Sequence, residues 1–278
     1  MKSTASDQTP LAAPSQKWLD AQHELARQAD ATPPPASAFT HPTVVTPADW
    51  LEARRELLCL EKEFTRQRDA LAARQRALPW VKVAKPYAFA GPAGRVSLPD
   101  LFAGRSQLIV QHFMFGPGWE EGCKSCSFML DHLNPVTVHL QARDVAFAVI
   151  SHAPLQEILP FQRRMGWTVN WVSAHGTDFN ADFHVSFPAE AVARGKVDYN
   201  YSLQEVPNQE LPGISVFTRG GDGAIYHTYS TYGRGVELVM TTYDLLDLVP
   251  RGRDEAGLDY GMAWVRHHDR YDHATPAQ

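Results

Sequence analysis

Two of the three cysteines in this 278-residue chain stand as Cys123-Lys124-Ser125-Cys126. The pair follows an apolar run from Leu108 to Phe115 and opens a helical pattern. A helix N-terminus carries unpaired backbone N–H groups and partial positive charge, so a sulfur placed there favours thiolate over thiol. The thiolate is the reactive form. Cys123, nearer the helix start, is the expected nucleophile, and Cys126, one turn inside, the expected resolving thiol. Attack on a disulfide or peroxide substrate is then a two-step exchange that needs a thiol reductant to close the cycle. Two plainer readings stand beside this one. The cysteines are small buried hydrophobes, or they are half of a zinc site. Zinc needs two further N or S ligands, but Cys59 falls in a different helix and His267 and His268 are adjacent, which points their rings apart on a helix. No metal is expected. Without a G-x-G-x-x-G or phosphate loop, no cofactor is expected either.

The residues around the pair sharpen the chemistry. Glu120 and Glu121 precede Cys123, and both carboxylates raise a thiol pKa, opposing the helix end and Lys124. The sequence thus leaves open a weakly activated thiol beside a reactive one. Ser125 and Ser127 donate to sulfur or simply cap the helix. Trp119 is a candidate wall for a substrate, or plain packing. Arg164, in the block Arg163-Arg164-Met165-Gly166-Trp167, is a candidate for holding an anionic substrate, although a helix C-terminus also attracts Arg. The segment Trp264 to Tyr271 holds His267, His268 and Asp269. A His there suits proton transfer near neutral pH, but a docked segment with surface histidines is the simpler expectation. His112 and His132 flank the site in sequence.

Composition bounds the function. The formal net charge of −5 gives no footprint for nucleic acid. No stretch approaches the roughly 20 apolar residues of a membrane span, and the first residues lack the apolar core of a signal peptide. Three cysteines in a chain this long do not build a disulfide framework, which points to a reducing compartment, the cytoplasm by default.

The elements that must position the dithiol follow an N-terminal arm. Residues 1–45, rich in Ala, Pro, Ser and Thr, read as disordered apart from a short helix over 16–28. Residues 46–80 read as one long helix: Thr46 caps, Pro47 suits the first turn and Asp49 the positive end of the dipole. Trp50, Leu57, Phe64, Leu71 and Leu78 recur every seven residues, with Leu51, Leu58 and Leu60 broadening the stripe. Gln67 and Arg74 sit where a coiled-coil seam wants Leu, so a helix packed on its own domain is preferred over a homodimer.

Residues 81–272 have α/β texture, followed by a tail over 273–278. Gly91-Pro92-Ala93-Gly94 reads as the turn of a hairpin. Buried strands are expected over 108–115, 145–151 and 168–172, with helices from the dithiol to about 140 and over 154–165. Residues 175–212 read as mostly irregular. A second hairpin turns at Gly220-Gly221-Asp222-Gly223, and a final helix runs over 235–248. This order is α/β and thioredoxin-like, with a peroxiredoxin-style N-terminal hairpin preceded by the long helix.

The stretches LEARRELLCLEKEFTRQRDALAARQRALPWV, HFMFGPGWEEGCKSCSF, SHAPLQEILPFQRRMGWTVNWVSAHGTDFN and WVRHHDRY closely resemble the bacterial thioredoxin-like family known as domain of unknown function 899. The resemblance runs from about His41 to Tyr271. It implies a thioredoxin-like fold and no established reaction. It also implies that Pro212 occupies the place where thioredoxin-like proteins put a cis-proline facing the dithiol, turning the Leu211 backbone toward substrate; an ordinary trans bond is the alternative. The chain departs from peroxiredoxins, which carry P-x-x-x-[T/S]-x-x-C: Pro117 stands one residue too near Cys123, and no hydroxyl occupies the expected position. The functional expectation is a thiol–disulfide oxidoreductase or thiol peroxidase. Its alternative is a non-catalytic binding or redox-sensing module on the same scaffold.

Overall fold

The computed structural model describes residues 43–271. The expected arm, apart from its last residues, its short helix and the tail over 273–278 lie outside them. Helix α1 spans Pro47–Arg76, and Thr46 caps it by accepting from the Asp49 N–H at 3.2 Å. The expected packing of this helix on its own domain is not what the structure has. None of its residues is buried, and Trp50 and Phe64 are 59% and 67% exposed. Its far end meets the body, where Gln75 donates to the Tyr229 hydroxyl at 3.2 Å.

Short strand β1 (Val81–Lys82) precedes the hairpin of β2 (Ala88–Gly91) and β3 (Gly94–Ser97). Gly94, at φ +116°, takes the backbone shape this tight turn needs. A one-turn helix α2 (Leu98–Leu101) leads to β4 (Gln107–His112). The dithiol then opens α3 (Lys124–Gln141), followed by β5 (Val145–Ser151), α4 (Leu155–Arg164) and β6 (Asn170–Ser173). The stretch expected to be irregular holds two short helices, α5 (Phe179–Asp182) and α6 (Ala189–Ala193), and a small hairpin of β7 (Val197–Tyr199) and β8 (Ser202–Gln204). The chain returns through β9 (Gly213–Arg219) and β10 (Ile225–Tyr232). The expected final helix divides into a 3₁₀ segment, Gly233–Val239, and α7 (Thr241–Leu246). Gly233, at φ +52°, sits at the start of that segment.

Eight of the strands form one sheet in the order β1-β10-β9-β4-β5-β6-β2-β3, and β7 and β8 pair apart from it. β4, β5 and β6 run parallel, β9 lies antiparallel to β4, and β10 antiparallel to β9. A central β-α-β unit followed by an antiparallel hairpin and a helix is the thioredoxin-like arrangement, here with the N-terminal hairpin added beside β6. The parallel strands are near-continuous apolar runs because both faces are covered. One face packs α3 and α4 through Phe113, Phe128, Phe161, Trp167 and Trp171. The other packs the N-terminal hairpin, α2 and α5 through Phe89, Leu98, Phe179 and Phe217. The dithiol therefore starts a helix anchored at the C-terminal end of a central strand. Among the described residues no helix is long and apolar enough to cross a membrane.

Candidate active site

Cys123 is the N-cap of α3, with extended backbone at φ −57° and ψ 133°. Its N–H donates to the Met114 carbonyl at 3.0 Å, and its carbonyl accepts from the Ser127 N–H at 2.9 Å and the Ser127 hydroxyl at 2.8 Å. Ser127 thus donates back to the carbonyl one turn before it, inside the helix, rather than to a sulfur. Cys126, one turn on, is buried, and the Met114 N–H points at its sulfur at 3.5 Å. Both thiols are free, with Cys123 partly exposed.

The two sulfurs share one proton unequally. Cys123 falls to about 7, chiefly because the Cys126 thiol donates to it; the Cys126 and Ser125 N–H groups and the Ser125 hydroxyl help, against the cost of burial. Cys126 is pushed well above the ordinary thiol value by that same hydrogen bond and by burial. Neither Glu120 nor Glu121 is among the causes that set the Cys123 thiol. The Glu121 carboxylate is occupied elsewhere. It pairs with Arg164 and with Arg270 at 3.1 Å, and His267 Nδ1 lies 3.4 Å away.

Arg164 ends α4, and the other two come from the far end of the chain. His267 is buried at 2% exposure, and its Nε2 donates to the Gly122 carbonyl at 2.8 Å. Arg164 grips Asp269 with two bonds, 2.7 Å from Nε and 2.9 Å from Nη2. His268 and the Trp167 indole both bond Asp131 of α3, at 2.7 and 2.8 Å. The sequence reading kept the tail histidines on the surface; the structure buries His267 beside the residue that precedes Cys123. The signal available was the density of ionisable groups in that short segment.

The other expected site residues divide. Arg164 lies beside the dithiol loop, but its guanidinium is engaged by Asp269 and Glu121, so it acts as a clasp. Trp119 is partly buried against the same core cluster as Cys123. Leu211 is buried in a separate small cluster with Val185, Val197, Tyr199 and Tyr232, and its N–H donates to the Val185 carbonyl at 2.8 Å. Among the described residues no peptide bond is cis, so the Leu211–Pro212 bond is trans. The Pro212 carbonyl accepts from the Tyr199 hydroxyl at 2.7 Å. Pro212 nonetheless sits at the dithiol end of the sheet, because the next residue, Gly213, pairs with His112 at the end of β4. Ser125 reaches Cys123, whereas His112 and His132 do not serve the site. His112 is buried, bonded to the Ser215 hydroxyl at 2.7 Å and held neutral, its pKa lowered to about 3 by burial and then by His227. His132 bridges the Phe128 carbonyl and Thr242.

Sequence reasoning also missed Glu210. It is buried between His152 Nδ1 at 2.7 Å and the Ser186 hydroxyl, and it borders Gly116 in the loop leading to the dithiol. Its hydrogen bond raises the His152 pKa despite the burial that opposes it. Among the described residues no three His, Cys, Asp or Glu side chains group so as to hold a metal ion.

Residues 39–271 match the model of the family described as bacterial protein of unknown function (DUF899). The chain belongs to this family. No curated protein matches it significantly. Among solved structures it is similar to the peroxidoxin BcpB of Mycobacterium tuberculosis, with 14% identity and a TM-score of 0.41 over 59% of this chain and 92% of that one. It is also similar to the bacterioferritin comigratory protein of Xanthomonas campestris, with 11% identity and a TM-score of 0.39 over 58% and 94% of the two chains. StoA from Bacillus subtilis shows 12% identity and a TM-score of 0.36 over 58% and 98%. This DUF899 protein keeps its long helix α1 and the tail segment around His267 as parts of the family match.

Proposed function

We propose that this DUF899 protein is a thiol–disulfide oxidoreductase or thiol peroxidase in which Cys123 is the nucleophile and Cys126 the resolving thiol. One observation carries the reading: a partly exposed thiol at a helix N-terminus, lowered to about 7, accepts a hydrogen bond from a buried thiol one turn inside. The first step is attack of the Cys123 thiolate on a disulfide R–S–S–R. The Cys123–S bond forms, the substrate S–S bond breaks and one RS⁻ leaves. Cys126 then loses its proton and attacks Cys123, forming the intramolecular disulfide and releasing the second thiolate. Two electrons pass from dithiol to substrate, and an external thiol reductant returns them. Disulfide exchange is favoured over peroxide reduction because the site lacks the hydroxyl that peroxiredoxins place three residues before the reactive cysteine.

The test is to trap the intermediate. A Cys126→Ser variant treated with 2-hydroxyethyl disulfide should carry a mixed disulfide on Cys123 by mass spectrometry, and the wild type should lose two hydrogens without an adduct. Failure of both thiols to react with disulfide or peroxide would sink the proposal. Oxidation that small thiol reductants cannot reverse would assign the protein to the redox-sensing alternative.

The partner of α1 in this reading is a second copy of the chain. The 30-residue helix has no buried side chain and is held by its Thr46 cap and its own ion pairs, Arg54–Glu61, Arg55–Glu52 and Arg66–Glu63, so a second copy would cover an apolar stripe that is otherwise exposed. In a parallel pair with Trp50, Leu57, Phe64, Leu71 and Leu78 on the seam, Asp49 faces Arg54 and Glu63 faces Arg68 of the other copy, favourable at two of three charged steps. Glu56 facing Glu61 is the unfavourable one.

A further inference from the structure

Beside the dithiol lies a cleft of about 510 Å³ lined by Glu121, Lys124, Arg266, His267, Asp269, Arg270 and Tyr271. Its walls are charged rather than apolar. The balance among the described residues is uneven: Lys124, Arg266 and Arg270 on the lining, with Arg164 behind them, face two carboxylates, Glu121 and Asp269. Both carboxylates are already held by Arg164, and Glu121 by Arg270 as well. Lys124 makes no ion pair or hydrogen bond among the described residues. Arg266 bonds the Ala263 and Val265 carbonyls through Nη1, at 2.8 and 3.1 Å, which leaves Nε and Nη2 without a partner among the described residues. The chain as a whole carries a formal charge of −5, so this surplus of positive charge is local and runs against the general field.

Its position gives it a use. Lys124 is the residue next to Cys123, and His267 on the cleft wall bonds the carbonyl of Gly122 just before it. A molecule seated here lies against Lys124 and against the His267 that holds Gly122, so it touches the chain on either side of Cys123. An unengaged guanidinium fork matches a carboxylate in geometry, and an ammonium adds a second point charge. A cleft of this size holds a small molecule rather than a polypeptide surface.

We propose that this cleft selects the substrate, and that the substrate is a small disulfide bearing carboxylates, held by Lys124 and Arg266 while its sulfur faces Cys123. This rests on the dithiol reading above and adds the substrate class. The bonds made and broken are those of the exchange already written, with the anionic half remaining as the mixed disulfide until Cys126 releases it.

The experiment compares three disulfides on the full-length reduced protein: oxidised glutathione, which carries net negative charge, neutral 2-hydroxyethyl disulfide and cationic cystamine. Each rate of adduct formation on Cys126→Ser protein is divided by the rate of the same disulfide with a small free thiol. The expected order is anionic above neutral above cationic, with the spread collapsing at high salt. A Lys124→Gln/Arg266→Gln double variant should cut the ratio of anionic to neutral rates about tenfold. Calorimetry of oxidised glutathione binding to Cys123→Ser protein supplies a second readout that needs no reaction, and weaker binding by the double variant is expected. Equal normalised rates for all three disulfides would overturn the substrate inference and leave the dithiol reading standing. Exchange with none of them would overturn both.

Discussion

His267 Nε2 lies 2.8 Å from the carbonyl oxygen of Gly122, although the two residues are 145 positions apart. A carbonyl only accepts, so the imidazole hydrogen resides on Nε2, and Nδ1 faces Arg164 and Glu121. His267 is therefore a positioning residue for the loop that presents Cys123. Replacing it with Ala leaves a buried carbonyl unpaired, at a cost of about 1–3 kcal/mol. His267→Gln, which still donates, should recover most of that loss in denaturant melts. It should also restore the pH midpoint of Cys123 alkylation, which a merely structural loss would not track.

The pH dependence of that alkylation is itself expected. Cys123 should react with a midpoint at about 7, because the Cys126 thiol and the helix N–H groups stabilise its thiolate. Cys126→Ala removes the largest of these contributions, so the midpoint should move up toward the ordinary thiol range of about 8.5. A midpoint unchanged by the substitution would mean that the inner thiol does not donate.

Gly122 owes its identity to space. A Cβ there would lie 2.6 Å from Phe113 and 2.8 Å from Phe161, both ring carbons in the core beneath the dithiol. Gly122→Ala should destabilise the fold by about 1–3 kcal/mol through overpacking. Equilibrium denaturation measures it, with a lower midpoint at unchanged slope as the expected form.

Arg164 is expected to tether the tail rather than meet substrate. Arg164→Lys keeps the charge but loses the two-bond grip on Asp269. Backbone amides over 264–271 should then exchange with deuterium faster, while exchange in β5 is unchanged.

His152 gives stability a pH dependence. Its hydrogen bond to Glu210 raises its pKa above 6.5. The folded state holds the proton more tightly than the unfolded chain, so this contribution is complete below pH about 6.5 and is lost as pH rises through the higher folded value. Glu210→Gln should flatten the stability profile across that window.

For α1 the expected result is a dimer. Phe64→Glu places a charge on the exposed seam, and light scattering should show the apparent mass halve without loss of the body's thermal transition. A wild-type protein that already sediments as a monomer would remove the need for the stripe.

How much was legible depends on how local each signal was. The runs 108–115 and 145–151 announced buried parallel strands because a strand covered on both faces has no polar side to hide. The two hairpins of the main sheet were readable from their glycines. The β7–β8 hairpin was not, because its turn puts Asn200 and Tyr201 at φ +51° and +63° with no glycine to mark it, and each strand is three residues long. The 3₁₀ break before α7 was hidden for a related reason, since Val236 and Met240 keep the four-residue spacing of an α-helical face. At the site, the two cysteines were legible from spacing. The neutralisation of Glu121 by Arg164 and Arg270 was not, since nothing local to residue 121 tells which cations the fold will deliver.

The clasp between the dithiol loop and the tail also sets an order in time. A chain made from its N-terminus exposes Cys123 and Cys126 long before Arg266, His267, Asp269 and Arg270 exist. Until then the cations that the tail brings to Glu121 are missing, and Gly122 has no imidazole to hold it. A newborn chain therefore carries its two sulfurs on a loop that nothing from the tail yet holds. The docked form of that loop is complete only after residue 270 has been joined.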